Sequence, residues 1–394
     1  MIFKLTNVIQ NYAWGSRTAL NTRFGFDNPK NEPQAELWMG AHPSGGSHLE
    51  ALDVSLADYI ATEPQRVLGE YTATRYGELP YLFKILAAHT PLSIQVHPNK
   101  RKSELGFARE NEQDIALNDS IRNYKDPNHK PELVYALTPY KAMNGFRPIE
   151  HIIRLFNEIA LGELIQEVGL LEQGANSEAL GQFFSSIMML SGERKEKVLA
   201  QLEEAYSKPI VSNMACEAIQ YSKAFKKYYE GDIGLLAPFI LNTVELEPGE
   251  AMFLSPETPH AYVQGTALEI MASSDNVLRA GLTSKHMDIP ELIDNVVFSS
   301  INPENLKMSP VIKGSKEYYP IPVDDFGFDI LHANSTKQEQ YVRSAEILFC
   351  VDNNIVVESQ GKAVELVPGE SVFVPCSAQM YTYQGEGRLA RAYN

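Results

Sequence analysis

Cysteine is scarce in this chain, with three among 394 residues: Cys216, Cys350 and Cys376. They are odd in number, far apart and in no Cys-x-x-Cys arrangement. That excludes a disulfide framework and a zinc–thiolate site, and it fits a reduced, cytoplasmic protein. Positive charge is also in short supply. Lys and Arg number 34 against 50 Asp and Glu, for a formal net charge of −16. That balance argues against a nucleic-acid or anionic-membrane surface, while leaving room for a local basic pocket around a small anion. No apolar run reaches the length of a membrane span, and Met1–Asn7 lacks the apolar core of a signal peptide. What is present, 44% hydrophobic and 21% charged, suits a globular chain of two or three domains.

The most informative stretch is Leu92-Ser93-Ile94-Gln95-Val96-His97-Pro98. Apolar and polar side chains alternate from Leu92 to His97, which predicts a strand. Ser93, Gln95 and His97 then share one face, and Leu92, Ile94 and Val96 the other. Pro98 ends the strand. A Gln-x-His pair on its own is more often a hydrogen-bonded polar patch than half of a metal site. Its meaning depends on the rest of the chain.

Residues 1–150 read as short strands and loops. Ala35–Gly40 and Tyr81–Leu86 are predicted strands, the second with Lys84 inside an apolar run. A helix is expected over Glu110–Leu117. The rigid loop Asp126–Glu132 leads into a strand over Leu133–Leu137. Residues 151–235 change character. Ile152, Leu155, Phe156 and Ile159 recur at helical spacing, as do Leu161, Leu164, Ile165 and Val168. Four or five helices are expected there, with Ser177 and Ser191 as N-caps.

From residue 236 strands return, with an internal repeat. Glu245-Leu246-Glu247-Pro248-Gly249-Glu250-Ala251-Met252-Phe253-Leu254 matches Glu365-Leu366-Val367-Pro368-Gly369-Glu370-Ser371-Val372-Phe373-Val374. A tyrosine follows each copy, Tyr262 and Tyr381. The same supersecondary unit used twice predicts a mainly β chain with two cupin-type jelly-roll barrels plus a helical domain. Residues 1–150 with 236–300 form the first barrel in this reading, 151–235 a helical insertion, and 301–394 the second barrel. Where the first copy has His260 the second has Met380, so the second barrel is expected to hold no metal.

Jelly-roll metal sites draw ligands from neighbouring strands. One strand offers Gln95 and His97, a second Glu132 and a third His260. Two imidazoles, a carboxylate and an amide oxygen suit zinc with one position left open, though iron or manganese would accept the set. A buried, hydrogen-bonded histidine is the plainer account of His260 alone, and a surface carboxylate that of Glu132. Four such residues at strand starts favour the metal reading.

The chain resembles the type I mannose-6-phosphate isomerase (phosphomannose isomerase) family of zinc-dependent cupin enzymes. The matching stretches are Asn11–Ser16, Ala35–Ser47, Tyr81–Lys100, Asp126–Glu132, Asn144–Phe146 and Pro256 through Glu291. Within the last, Glu269-Ile270-Met271-Ala272-Ser273-Ser274-Asp275-Asn276-Val277-Leu278-Arg279-Ala280-Gly281-Leu282-Thr283 is the most specific. Ser284 departs from the proline expected there, away from the chemistry. The resemblance implies one zinc per chain on Gln95, His97, Glu132 and His260, and an active-site Arg279. It also implies the interconversion of mannose 6-phosphate and fructose 6-phosphate through an enediol. That reaction needs stabilisation of charge on the C1 and C2 oxygens and a proton carrier between the two carbons. Candidates for the carrier are His129, Lys130, Glu269 and Asp275. Lys84, Ser93 and Lys100 are candidates for the phosphate, with Lys84 and Ser93 expected on adjacent strands, and Trp14 for a pocket wall. The partner is then a small sugar phosphate, with no nucleic acid and no membrane; the sequence carries no signal for an oligomeric state.

Other classes fit less well. Another cupin isomerase acting on glucose 6-phosphate differs only in C2 stereochemistry. A non-catalytic cupin sugar-binding protein has no need of both metal ligands and Arg279. A dioxygenase favours two histidines and a carboxylate on iron, and Gln95 speaks against it.

Overall fold

In this computed structural model, which describes residues 1–209 and 212–394, the strands form sheets of nine, ten and four strands, interleaved with helices. The two closed barrels expected from the repeat do not form; none of the three sheets closes on itself. The ten-stranded sheet doubles over instead, and the strand that turns the corner is His260–Ala272.

The first part of that strand pairs with Tyr140–Phe146 and Gln95–Val96, the second with Tyr81–Ala88 and Glu132–Ala136. Between them the register slips after Tyr262, and Gly265 takes φ 124°. A Cβ at Gly265 would lie 2.6 Å from the Pro139 carbonyl oxygen, so only glycine fits the bend. The slip also changes which side chains face inward. Ala261 and Val263 join the core under the helices, while Tyr262 packs with Tyr140 and Ala267 in the interior. Past the bend, Leu268, Ile270 and Ala272 face outward to a different core. The bulge thereby turns His260 and Glu269 toward one interior, although a regular strand would send residues nine apart to opposite faces.

Two outer cores hold the doubled sheet. On one side Ile94, Val96, Met143, Phe146, Leu278 and Ala280 pack against five helices. These are Ile149–Ile159, Ile165–Gly174, Ser177–Met188, Gly192–Ala205 and Asn213–Lys226, the helical insertion the spacing predicts. On the other side Phe83, Ile85, Leu133 and Ile270 meet Phe328, Ile330 and Phe349 of the C-terminal sheet. Each large side chain buried there contributes about 1.5–3 kcal/mol.

Three local expectations change. The helix expected over Glu110–Leu117 is Lys100–Glu112, because the Asn99 side chain caps it by accepting from the Lys102 amide. Asn176, not Ser177, caps the third helix of the insertion, and Ser191 sits at its cap position with no side-chain bond. The strand read over Leu92–His97 shortens to Gln95–Val96. Its flanks are split between neighbours, the Leu92 amide donating to Tyr262 O and the Ile94 amide to Gly281 O.

The repeat is real in three dimensions. Gly249 and Gly369 take φ 97° and 94°, in Pro-Gly turns closed by Glu250 N to Glu247 O and by Glu370 N to Val367 O. In each turn the acid after glycine, Glu250 or Glu370, accepts a further bond from the amide three residues back. The N-terminal strand Phe3–Thr6 lies in the C-terminal sheet, paired with Ser371–Val374.

Candidate active site

Three strand ends bring His97, Glu132 and His260 together in the interior. One donor atom from each lies within 4.8 Å of the others, and all three residues are buried. His97 Nδ1 is 2.6 Å from Asn276 O, and His260 Nδ1 is 2.8 Å from Thr258 O. A carbonyl only accepts, so Nδ1 carries the proton in each ring and Nε2 presents a lone pair. Both lone pairs face the Glu132 carboxylate, at 3.3 Å from Oε1 for His97 and 3.5 Å from Oε2 for His260. His97 Nε2 is buried without a hydrogen-bond partner. Lone pairs aimed at a carboxylate repel it unless a cation lies between them, so the donor set fits a metal ion. Burial pushes the His97 imidazolium down to about 4, which keeps the ring neutral. Burial would raise Glu132, but the Lys130 ammonium opposes it, and the carboxyl is held well below its usual range. Lys130 Nζ lies 3.2 Å from Glu132 Oε1.

Register adds three more residues. Arg279 pairs with Gln95, Gln95 with His260, and His260 with Asn144. Residues opposite one another across a sheet share a face, so this row of four lines the interior beside His97 and Glu132. Arg279 is half-buried, has no ion-pair partner among the described residues, and has its pKa lowered by burial alone. Lys285 is lowered too, by burial, then by Arg279, then by Lys125. Lys125 and Lys285 are both exposed, and the Lys125 ammonium donates to Leu117 O at 2.8 Å. Lys125 and Lys285 were absent from the sequence-based candidates, because both sit in irregular loops where no periodicity points inward.

Deeper in the same interior, Lys84 Nζ lies 3.1 Å from Glu269 and 3.6 Å from Glu36, all three buried. Burial alone would lower the Lys84 pKa; Glu269 and Glu36 reverse that and hold it above its ordinary range. Glu269 is raised by burial against the pull of Lys84. The Trp38 indole N–H donates to Glu36. Tyr262 donates to Glu132 Oε2 at 2.6 Å, while the buried Tyr140 hydroxyl has no partner. Glu36, Tyr140 and Tyr262 were also missed. Each reads as an ordinary strand residue until the sheet doubles over.

The other candidates make contacts of their own. Lys84 and Ser93 are not on adjacent strands, because His260–Ala272 runs between them. Ser93 is half-buried. Trp14 stacks on Tyr12 at 6.0 Å and packs against the interior apolar cluster. His129 Nε2 bonds Asp325 at 2.9 Å, and Asp275 meets His42 Nε2 at 3.2 Å. Lys100 Nζ donates to Pro127 O and Asn128 Oδ1. His129 and Lys100 line a cavity of about 540 Å³ that the three metal-facing residues do not reach.

Residues 2–149 match the family model of the phosphomannose isomerase type I catalytic domain, and residues 315–394 that of the mannose-6-phosphate isomerase cupin domain. The mannose-6-phosphate isomerase of Escherichia coli (strain K12) is 48% identical over 394 residues, covering 99% of each chain. That of Rattus norvegicus is 33% identical over 405 residues, covering 95% of this chain and 91% of its own. A zinc-bound mannose 6-phosphate isomerase structure aligns with TM-score 0.94 at 48% identity, over 100% of this chain and 99% of that one. With family models at both ends and relatives this similar along its whole length, the chain belongs to the type I mannose-6-phosphate isomerase family.

Proposed function

We propose that this protein interconverts mannose 6-phosphate and fructose 6-phosphate through an enediol. The observation that carries the reading is the convergence of His97 Nε2 and His260 Nε2 on Glu132 beside Arg279, which has no ion-pair partner among the described residues. His97, Glu132 and His260 would hold the zinc ion, with Gln95, two residues before His97, as the fourth ligand. When bound, zinc supplies Lewis-acid stabilisation for charge developing on the sugar oxygens. Arg279 adds a fixed positive charge in a poorly solvated place, where it acts more strongly than in water. Lys285, whose pKa the Arg279 charge lowers, suits the phosphate of an anionic substrate.

Glu269 is the strongest of the four candidates for carrying the proton between C2 and C1. It shares the sheet face of Glu132, and burial raises its pKa toward the range useful for acid–base work. Lys84 at 3.1 Å holds it in place and balances its charge. Lys130 keeps Glu132 ionised. His129 and Asp275 serve the loops around the site through Asp325 and His42.

The chain is also read as two copies of a jelly-roll unit, residues 1–150 with 236–300 and residues 301–394, with 151–235 inserted in the first. The matched Pro-Gly turns support this. No helix among the described residues is long and apolar enough to cross a membrane. The deciding experiment is turnover of mannose 6-phosphate before and after chelation. Turnover that is lost on chelation and restored by zinc is expected; full turnover in metal-free protein overturns the reading.

A further inference from the structure

The strand that carries Arg279 is two residues long, Leu278–Arg279. So short a strand cannot fix its own direction, and what anchors its exit decides where the guanidinium stands. The exit is a sharp bend. Gly281 takes φ 122° and Leu282, which is not glycine, takes φ 51°. A left-handed leucine persists only where its surroundings impose it.

One carboxylate imposes it. Asp232 Oδ1 accepts from the Leu282 amide at 2.8 Å, and Oδ2 from the Thr283 amide at 3.2 Å. Oδ1 also accepts from the Gly234 amide at 2.6 Å, which caps the short helix Ile233–Leu236 at the end of the helical insertion. Capping needs only that last bond; the other two reach fifty residues along the chain. The two backbones touch there. A Cβ on Gly281 would lie 2.9 Å from Gly234 Cα, and a Cβ on Gly234 2.7 Å from Leu282 N. On the near side of the bend, Ala280 N donates to Ile94 O and Ile94 N to Gly281 O. Arg279 is thus held between the sheet on one side and Asp232 on the other.

We infer that Asp232 is a positioning residue for the reaction: its carboxylate fixes the Gly281–Thr283 bend and, through it, the Arg279 guanidinium. This rests on the isomerase reading above. It gives the helical insertion a part in the site, because Asp232 belongs to the segment that returns from the insertion to the sheet.

The test is a double-mutant cycle on zinc-loaded protein with Asp232→Ala, Arg279→Ala and the pair. Asp232→Ala is expected to lower kcat about tenfold to hundredfold, the scale of a misplacement of about 1 Å, with zinc content unchanged. In the Arg279→Ala background the same change is expected to alter kcat by less than about twofold, because the two residues act as one unit. Asp232→Asn keeps an oxygen for Leu282 and Gly234 and is expected to recover most of the loss, which also guards against a variant that fails to fold. Equal losses with and without Arg279, or full kcat in Asp232→Ala, overturn the inference. A crystal structure of Asp232→Ala reads the same point without turnover: Arg279 displaced supports it, and Arg279 in place with the bend intact overturns it. Wild-type protein that does not convert mannose 6-phosphate overturns the isomerase reading instead, and the crystal structure still decides the role of Asp232.

Discussion

Glu132 and Glu346 occupy the same place in the two halves of the molecule. Glu132 stands opposite Leu254 and Glu346 opposite Val374, and those two residues end the repeated segments. A repeat tyrosine bonds each, Tyr262 to Glu132 and Tyr381 to Glu346. Around them the charges are exchanged. Opposite Lys84 stands Glu269; opposite Asp329 stands Arg391. Glu36 lies near Lys84, and Lys316 near Asp329 at 2.6 Å. Glu346 has no histidine beside it; Arg391 holds it through two bonds, at 2.7 and 2.5 Å. A guanidinium therefore balances in the second half the charge that the two imidazoles and a metal face in the first.

Arg391→Met should therefore be a stability variant. Glu346 and Asp329 are both 0% exposed, and removing one partner of a buried ion pair costs about 3–5 kcal/mol. A lower melting temperature is expected, with kcat of the folded fraction within about twofold of wild type, as for a site outside the catalytic network. An unchanged melting temperature would refute the account of this cluster. Met380→His should add neither zinc nor turnover, because Arg391 already occupies Glu346; metal analysis checks this.

His260→Ala should release zinc and abolish turnover while leaving far-ultraviolet circular dichroism near wild type. His260 opens its strand and bonds only Thr258 O on its far side. Full zinc occupancy in the variant would remove His260 from the ligand set.

Arg279→Ala should lower kcat about 10²–10³-fold, the usual loss for one oxyanion-stabilising donor, with zinc content kept. With no acid paired to Arg279, its removal strands no buried carboxylate, so the melting temperature should change little. Arg279→Lys should rescue poorly, since a point charge on a flexible stem does not reproduce the planar fork. Normal kcat in a destabilised protein would make Arg279 structural.

Glu269→Gln should slow exchange of the C2 hydrogen with solvent and lower kcat by about 10²–10⁴-fold, the range for a lost acid–base group. Deuterium uptake from heavy water during turnover measures it directly. Wild-type exchange in the variant would send the proton role back to Lys130, His129 or Asp275.

Metal-free protein should lose stability as pH falls from about 6.5 to about 4. His97 is neutral when folded, with its pKa pushed down to about 4 by burial, against about 6.5 in an unfolded chain. The unfolded state takes the proton first, so the contribution is full above about 6.5 and is lost on descending through the window. Urea midpoints of chelated protein across that range test this, and His97→Gln should flatten the slope.

The candidate donors and the repeat were legible in the sequence because both depend on local pattern. Alternation from Leu92 to His97 put Gln95 and His97 on one face, and the Pro-Gly-Glu turns marked the duplication residue by residue. Pairing across distance was not legible. Whether Lys84 meets Ser93 or Glu269 depends on which strand lies beside Tyr81–Ala88, and no local preference encodes that. The parity of His260 and Glu269 depends on the bulge at Gly265, which a period of two cannot anticipate. Asp232 gains a further pair of amide partners only where the chain returning from the helices packs against the Gly281 bend. Composition and periodicity determined which side chains seek burial; tertiary packing decided which of them meet, because a charge buried in the interior is stable only beside a partner brought from elsewhere in the chain.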